Sequence, residues 1–363
     1  PYLMHFRFIT STPLDIRRGS GTFAGISTLA TFLRASGETV EVITPTFRFP
    51  IYTVERIIFN ERLRSRAGGE SGVTVGFDMD GYAIAGARRG PHIASIKGVI
   101  ADEMRFERGL TRATMRVQAF YERLHVQRAA LVITSSRYAA ECIQRFYAVS
   151  REPRIVPEAI DLGSWRRWFQ LHPAPPPEGK FTVLSVCRFY PRKRLHVLLG
   201  AADRLRSRIP GLEVRIVGDG PDAGRLKVLC RNKGLEGIVS WLGNVSQAEL
   251  AREYNRCHVF CLPSVQEGFG IVFLEAMANG KPIVAARAGA APEVVKHGIL
   301  VRPHDEEALA EGIERLFREP ELRGILGAEG YQFVERFDGP KVAELFLREA
   351  KLAFGAADGA PTA

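Results

Sequence analysis

Short apolar runs alternate with longer amphipathic segments along the first half of the chain. Residues 6–10 predict a strand, residues 22–36 have the spacing of a helix, and residues 39–44 predict the next strand. The alternation continues through predicted elements at 93–96, 103–128, 130–134, 136–147 and 154–156. Such a pattern predicts a parallel sheet with helices on both faces. Residues 47–90 show no clear pattern and are expected to be loops.

A break in the pattern separates this half from the next. Between residues 161 and 180 the periodicity stops and aromatic and proline residues accumulate, which predicts an interdomain linker. The alternation then restarts, with strands predicted at 181–186, 213–217, 238–242, 259–262 and 282–285. The predicted fold class is α/β, with two Rossmann-like doubly wound domains at 1–160 and 181–338. A last helix within 339–363 is expected to cross back to the first domain and to end in a frayed tail.

Two carboxylates in the second domain, Glu267 and Glu275, are separated by seven residues. Gly268 and Gly270 allow the backbone to turn closely past a ligand, and residues 271–279 predict a short helix whose first amides favour an anion. Glu275, about one turn into that helix, is positioned to accept hydrogen bonds from two adjacent hydroxyls, as on a ribose. Glu267, in the loop, is free to bind a second polyol. Taken alone, the spacing also fits two unrelated glutamates beside an ordinary loop.

The surroundings of this pair favour the first interpretation. The segments from Pro263 to Gly270 and from Leu274 to Ala285 resemble the donor-site signature of the family 4 retaining glycosyltransferases. Further motifs follow in the order of that family, namely Cys187-Arg188 with Lys193, Gly218-Asp219-Gly220, Trp241-Leu242-Gly243 and Gly289-Ala290-Ala291-Pro292-Glu293. The resemblance covers most of residues 180–300 and implies the GT-B architecture, in which an acceptor-side domain and a nucleotide-sugar-donor domain face each other across a cleft.

The resemblance also implies the chemistry of the site. Arg188 and Lys193 follow the first strand of the second domain, where they neutralise the diphosphate, while Glu267 orients the sugar and stabilises developing positive charge. Retention of configuration then needs no protein nucleophile, because the leaving phosphate accepts the proton of the acceptor. The donor-binding positions implied in this domain are Gly218, Gly220, Leu242, Gly268, Phe269, Gly270, Ile271 and Glu275. Without the resemblance, these residues also fit solvated or tight turns.

The first domain departs from the family pattern at Ser20, where a second glycine is frequent, at Lys97 and at Glu158. Gly21, after Ser20, opens the first helix where similar enzymes place a glycine-rich loop, and it is predicted to bind the donor. Lys97 occupies the position at which relatives have a histidine that contacts the transferred sugar. Lysine keeps a hydrogen-bond donor but loses the geometry of the imidazole, so either Lys97 keeps the catalytic role or turnover is weakened. Glu158 replaces the more usual asparagine and is expected to shape the cleft floor.

Positive charge is concentrated in the first half of the chain. The protein has a net charge of +10, and residues 1–155 hold 22 Lys and Arg against 14 Asp and Glu. A predicted helix combines apolar residues with arginines at positions 105, 108, 112, 116, 123 and 128. This helix fits either a solvated face or a surface that docks on an anionic membrane or acceptor. Nucleic acid is not expected as a partner, since no recognisable reading motif accompanies the arginines.

Composition and motifs indicate the compartment of the protein and whether it needs a cofactor or a metal. Five scattered cysteines without a CxxC pair indicate reduced thiols in the cytoplasm, and neither a signal peptide nor a membrane span is predicted. Peripheral attachment to the inner face of the membrane stays open. No cofactor and no metal are expected, because the pair Asp78 and Asp80 does not lie at a predicted strand end.

The predicted function is transfer of a hexose from a nucleotide sugar, with UDP favoured over GDP as carrier. The acceptor is an unidentified sugar, lipid or small molecule. Two alternatives stay open, a nucleotide-sugar-binding scaffold with weak or no turnover and a GT-B sugar phosphorylase. A nicotinamide oxidoreductase is disfavoured, because no G-x-G-x-x-G follows the opening strand.

Overall fold

The computed structural model describes residues 3–13, 21–66, 72–86 and 90–355. The chain divides into two compact units. Unit 1 consists of Pro1–Ala159 together with Gly339–Ala363, and unit 2 consists of Ile160–Asp338. The last helix therefore belongs to the same unit as the first strand.

Unit 1 alternates strands and helices along most of its length. Its elements are β1 (His5–Ile9), α1 (Gly21–Ala35), β2 (Thr39–Ile43), α2 (Tyr52–Arg66), β3 (Val73–Phe77), β4 (His92–Ile96), α3 (Ile100–Glu103), α4 (Gly109–Arg128), β5 (Leu131–Thr134), α5 (Arg137–Tyr147), β6 (Arg154–Ile155) and, after unit 2, α14 (Gly339–Phe354). The described strands form one parallel sheet in the order β2-β1-β3-β4-β5-β6. The chain changes direction across this sheet between β1 and β3.

The core of unit 1 includes a cluster of phenylalanines that joins the two ends of the chain. Phe8 packs edge-on against Phe77, with ring centroids 5.1 Å apart, and Phe6 packs against Phe346 of α14 at 5.6 Å. At the start of α14, Gly339 lies so close to the ring of Phe32 in α1 that no Cβ would fit. Helix α14 is thus an integral part of unit 1.

Unit 2 has the same kind of alternation in an uninterrupted stretch of chain. Its elements are α6 (Leu162–Leu171), β7 (Phe181–Val186), α7 (Leu195–Leu205), β8 (Leu212–Val217), α8 (Ala223–Asn232), β9 (Val239–Gly243), α9 (Gln247–Arg256), β10 (Val259–Leu262), α10 (Ile271–Ala278), β11 (Ile283–Ala286), α11 (Ala291–Val294), β12 (Ile299–Val301), α12 (Glu306–Arg318) and α13 (Pro320–Phe333). All strand pairs are parallel, in the order β12-β11-β10-β7-β8-β9. The chain changes direction across the sheet between β7 and β10.

Both faces of the second sheet are covered. Val183 of β7 and Val259 of β10 belong to the apolar cluster on one face, while their neighbours Leu184 and Phe260 belong to the cluster on the other. Successive strand residues point to opposite faces, so strands buried on both sides carry apolar residues toward both. The predicted fold class, two Rossmann-like doubly wound halves, is confirmed.

Two expectations about local structure were wrong. The segment predicted as a linker, 161–180, contains α6, in which Leu162 and Phe169 are buried in unit 2 and Asp161 caps the first turn by accepting from the amide of Ser164 at 2.8 Å. Residues 47–90 are not all loops, because they contain α2 and the central strand β3. None of the helices in the described ranges is long and apolar enough to cross a bilayer.

Candidate active site

The candidate site in unit 2 lies where the direction of the sheet changes. In a doubly wound sheet, ligands bind outside the carboxyl ends of the strands at this point, because the loops there diverge and leave a crevice. The loops concerned follow β7 and β10, which are neighbours in the sheet. A backbone hydrogen bond from the amide of Val265 to the carbonyl of Arg192, 3.0 Å long, joins the two loops.

An ion pair between these loops forms the centre of the site. Lys193 Nζ lies 2.6 Å from Glu267 Oε1, and both side chains are largely buried. The backbone of Glu267 is fixed in turn, because its carbonyl accepts from the amide of Ala290 at 3.0 Å and a Cβ at Gly289 would lie 2.7 Å from its nitrogen. The structure thus brings together two of the predicted catalytic residues, which are 74 positions apart.

Arg188, the second predicted cation, precedes the ion pair in the loop after β7. It is half-buried, and its guanidinium makes no hydrogen bond or ion pair with the part of the chain that the structure describes. The neighbouring Cys187 is also half-buried. Burial raises the pKa of its thiol to about 12, so Cys187 is not a nucleophile at neutral pH.

The glycines of the loop after β8 are required by backbone packing. Gly218 has a φ of +118° and lies against the carbonyl of Cys187, where no Cβ would fit. At Gly220 a Cβ would lie 2.6 Å from the nitrogen of Phe189. These contacts bring the loops after β7 and β8 together, which accounts for both glycines without a ligand. Their donor-binding role therefore stays a prediction.

The next strand, β9, carries the predicted position Leu242 at the edge of the sheet. Leu242 is partly buried and packs against the core of unit 2. Its neighbour Trp241 packs edge-on against Phe189, with centroids 5.7 Å apart. The indole is therefore part of the packing beneath the loop after β7.

The loop after β10 leads into α10, which begins at Ile271, the predicted first residue of the helix 271–279. Gly270 precedes it with a φ of +92°, a conformation that residues with a Cβ rarely adopt. Phe269 is buried and packs edge-on against Phe337 at 5.5 Å, whereas Gly268 is only partly buried. The start of α10 is thus anchored by an aromatic contact on the inner side.

Glu275, on the second turn of α10, faces the preceding helix α9. Its Oε2 accepts a hydrogen bond from the Tyr254 hydroxyl at 2.8 Å, and burial raises the pKa of this carboxyl to about 7. One carboxylate oxygen of Glu275 therefore already accepts a hydrogen bond within the protein. The sequence did not indicate Tyr254 as its partner.

The predicted residues of unit 1 lie at the carboxyl ends of its own sheet. Gly21 begins α1, while Ser20 lies outside the described residues. Lys97, directly after β4, forms an ion pair with Glu158, with Nζ 3.0 Å from the carboxylate. Glu158 had been expected only to shape the cleft floor, and no spacing in the sequence connects it with Lys97.

The Asp78 and Asp80 pair shows no arrangement for a metal ion. Asp80 accepts hydrogen bonds from Ser11 and Asn60 and pairs with Arg56 at 3.1 Å. Among the described residues, no group of three or more His, Cys, Asp or Glu side chains could hold a metal ion.

Comparison with known proteins identifies a family model and relatives that are similar to this chain. Residues 167–333 match the family model of the glycosyl transferases group 1. The chain is 33% identical over 163 residues to the GDP-mannose-dependent alpha-(1-6)-phosphatidylinositol monomannoside mannosyltransferase of Mycobacterium tuberculosis, a match that covers 42% of each protein. It is 30% identical over 242 residues to the D-inositol 3-phosphate glycosyltransferase of Saccharomonospora viridis, covering 62% of this chain and 56% of that protein. The chain thus spans about half the length of the curated relatives it matches.

Among solved structures, the sucrose-phosphate synthase from Thermosynechococcus elongatus superposes with a TM-score of 0.81, at 21% identity, over 98% of this chain and 100% of that one. At this identity the similarity concerns the fold, which is the GT-B fold implied by the sequence. The matched segment contains the ion pair of Lys193 and Glu267 as well as Glu275. By this match, residues 167–333, which make up most of unit 2, are similar to the glycosyl transferases group 1 family.

Proposed function

We propose that this protein is a retaining glycosyltransferase that transfers a hexose from a nucleoside diphosphate sugar to an acceptor hydroxyl without a metal ion. The observation that carries the proposal is the ion pair of Lys193 and Glu267, located where the direction of the sheet in unit 2 changes. At the same edge lie the guanidinium of Arg188 and the N-terminus of α10. Cations and helix-start amides are the groups that bind a diphosphate.

The residues divide the reaction between them. As the bond between the anomeric carbon and the diphosphate oxygen breaks, negative charge grows on the leaving group, and Arg188 and Lys193 stabilise it. Lys193 has three N–H donors, so it can keep its bond to Glu267 while binding phosphate. Glu267, held by Lys193, orients the sugar hydroxyls and stabilises the positive charge on the ring. The acceptor oxygen bonds to the same face of the sugar, and its proton passes to the leaving phosphate.

As the carrier nucleotide of the donor, we favour UDP over GDP. One relative, from Mycobacterium tuberculosis, is named as dependent on GDP-mannose. Both carriers therefore belong in the experiment. Glu275 would accept from the ribose hydroxyls in either case, because UDP and GDP share the ribose.

The test is release of nucleoside diphosphate by the full chain from UDP-glucose and GDP-mannose, with EDTA present. We expect release to persist in EDTA and to fall about 100-fold in Lys193→Ala and Glu267→Ala. Lys227→Ala and Glu311→Ala, at exposed positions of unit 2, are matched controls that leave the rate unchanged. Full loss in EDTA contradicts the metal-free mechanism. Donor binding without release, with a range of acceptors, supports a scaffold instead.

We further infer that unit 1 attaches peripherally to an anionic membrane at the cytoplasmic face, through helix α4. The helix buries Ala119, Glu122, His125 and Val126 on one side. Three apolar residues of the same helix, Leu110 (80% exposed), Val117 and Phe120 (57% exposed), point instead to solvent. At about 100° per residue these three lie roughly opposite the buried side.

Arginines border one edge of this exposed apolar stripe, which we define as Leu110, Val117 and Phe120. Arg112, Arg116 and Arg123 are exposed along one edge of it. A helix that is merely solvated would carry polar residues on the side opposite the core. Apolar side chains bordered by arginines match the acyl and headgroup regions of an anionic bilayer. A lipid-borne acceptor would fit this arrangement.

A further inference from the structure

The loop between β2 and α2 presents apolar side chains to solvent. Phe49, Pro50 and Ile51 follow one another and are all exposed, Phe49 at 44% and Ile51 at 53%. We call these three residues the apolar tip. A run of exposed apolar residues on a folded domain marks an interaction site. Because the strands of this sheet are parallel, the loop after β2 lies at the edge of unit 1 formed by the carboxyl ends of the strands.

The tip is held by the chain on both sides of it. The buried carboxylate of Glu55 accepts from the amide of Phe49 at 2.7 Å and from the guanidinium of Arg48 at 3.0 Å. On the other side, the carbonyl of Ile51 accepts from the amides of Val54 and Glu55 in the first turn of α2. The exposure of the tip is therefore a property of a hydrogen-bonded loop.

The start of α2 fixes the tip beside helix α4. Gln118 of α4 donates to the hydroxyl of Thr53 at 2.8 Å and accepts from the guanidinium of Arg56 at 3.0 Å. Around the axis of α4, Gln118 lies about 100° from Val117 in one direction, and Arg116 lies about 100° from it in the other. The apolar stripe of α4 thus has arginines along one edge and the start of α2, next to the tip, along the other.

The charge of this surface indicates its partner. Across residues 44–52 and 109–128, which the structure describes throughout, every exposed charged side chain is an arginine, at positions 48, 112, 116, 123 and 128. The acidic residue in these two ranges, Glu122, is buried. An anionic bilayer suits arginines and apolar side chains together, because its phosphates lie directly above its acyl chains.

We propose that the apolar tip is a second membrane anchor, which enters the same anionic bilayer as the apolar stripe of α4. Contact through two separate elements prevents the rotation that a single helix would permit. Leu110, in the first turn of α4, lies toward the same edge as the tip, because α4 leads back to the start of β5. The carboxyl ends of the strands of unit 1, where doubly wound domains bind ligands, are thereby turned toward the headgroups. This proposal rests on the attachment proposed for α4.

The test is sedimentation of the full chain with phosphatidylglycerol vesicles at low salt. Phe49→Ser with Ile51→Ser should weaken binding at least about tenfold, because both side chains leave the acyl region. The melting temperature should not change, since both side chains are exposed. Wild-type binding by this variant would overturn the proposal.

A matched control tests the orientation. Leu3→Ser with Leu352→Ser changes two exposed apolar residues at the opposite edge of the same sheet. Leu3 precedes β1, and Leu352 follows Lys351, whose ammonium lies 3.8 Å from Glu38, just before β2. This variant should bind like the wild type. A loss equal to that of the tip variant would overturn the proposed orientation.

A second readout follows insertion directly. Phe49→Trp adds an indole at the tip, and Leu3→Trp adds one at the opposite edge. On vesicles with brominated acyl chains, the fluorescence that Phe49→Trp adds to that of the three native tryptophans should be quenched, whereas that added by Leu3→Trp should not. An unquenched indole at position 49 on bound protein would overturn the proposal.

The outcomes separate this proposal from those on which the article has already relied. If Leu110→Ser with Phe120→Ser loses binding while the tip variant keeps it, α4 is the anchor and the tip is not. In solution, the tip variant should release nucleoside diphosphate from UDP-glucose or GDP-mannose at the wild-type rate, because the residues assigned to the diphosphate belong to unit 2. If the wild type releases none, the proposed transfer fails and the vesicle results still decide the anchor.

Discussion

The hydroxyl of Tyr254 in α9 donates a hydrogen bond to Glu275 Oε2 in α10 over 2.8 Å. Burial and the nearby carboxylate raise the pKa of Tyr254, so the phenol keeps its proton and remains the donor. Burial raises the pKa of Glu275 to about 7, against the lowering effect of this hydrogen bond. At neutral pH, the residue assigned to the ribose is thus close to half-ionised.

We expect donor affinity to depend on pH through Glu275. Because its pKa is raised to about 7, the carboxyl is protonated below that pH and accepts hydrogen bonds less well. Affinity for UDP-glucose, whose diphosphate does not titrate here, should fall as pH drops from 8 to 6, by at most about tenfold per unit. Calorimetry on the wild type and on Glu275→Gln measures this. The variant should show no such slope, and a flat wild-type profile would remove Glu275 from the ribose role.

Gly218→Ala should destabilise the protein by about 2 kcal/mol, because its φ of +118° and its contact with the carbonyl of Cys187 exclude a Cβ. The matched control is Gly224→Ala, in α8, where a Cβ would meet nothing within 4 Å. That change should raise stability by about 0.5 kcal/mol. Urea denaturation of both variants decides the matter, and equal stability of the two would contradict the packing argument.

A buried histidine pair in unit 1 should stay neutral well below its usual pH. His92 Nε2 and His125 Nε2 are 2.7 Å apart, and His125 Nδ1 donates to the carbonyl of Asp78 at 2.6 Å. Because a carbonyl only accepts, His125 carries its proton at Nδ1, and its Nε2 accepts a hydrogen bond from the Nε2–H of His92. Burial lowers the pKa of His125 to about 4 and that of His92 well below its usual value.

Ring proton resonances in NMR should therefore show no titration of either residue between pH 8 and pH 5.5. Both pKa values are lower in the folded state, so the unfolded state binds more protons between about pH 6.5 and pH 4. This pair should consequently lower the free energy of unfolding as pH falls through that window. A midpoint above pH 6 for His92 or His125 would contradict the geometry.

Membrane binding should require the apolar stripe of α4. The variant Leu110→Ser with Phe120→Ser is expected to lose salt-sensitive sedimentation with phosphatidylglycerol vesicles, because it removes the side chains that would enter the bilayer. Each of Arg112, Arg116 and Arg123 should contribute about 1 kcal/mol. Val228→Ser with Ile325→Ser changes two exposed apolar residues of unit 2 and should bind like the wild type. If the wild type fails to sediment at low salt, the attachment proposed here is wrong.

The sequence predicted unit 2 far better than parts of unit 1, for a physical reason. Strands buried on both faces are rich in apolar residues, which stand out from their surroundings, as in the continuous apolar run Val259–Leu262 of β10. Helix α2 is rich in charged residues and β3 contains Gly76, so neither shows a clear period. That glycine is dictated by tertiary contacts, since a Cβ there would meet His125 at 2.8 Å.

The candidate site divides in the same way. Glu267 and Glu275 share one short segment, and their spacing was visible in the sequence. The partners that fix these groups come from distant parts of the chain, as Tyr254 does for Glu275 and Glu158 for Lys97. The packing between elements decides which distant side chains come into contact. The spacing of residues along the sequence does not show these contacts.

Because α14 completes a unit that begins with β1, the order of synthesis matters for this protein. All of unit 2, an uninterrupted stretch of chain, is synthesised before α14, the helix that covers Phe6 and Phe8. Unit 2 can therefore bury its core during synthesis, while Phe6 and Phe8 of β1 stay exposed until α14 has been made. We expect unit 2 to fold before unit 1, and the strands of unit 1 that precede unit 2 to be among the last to be buried.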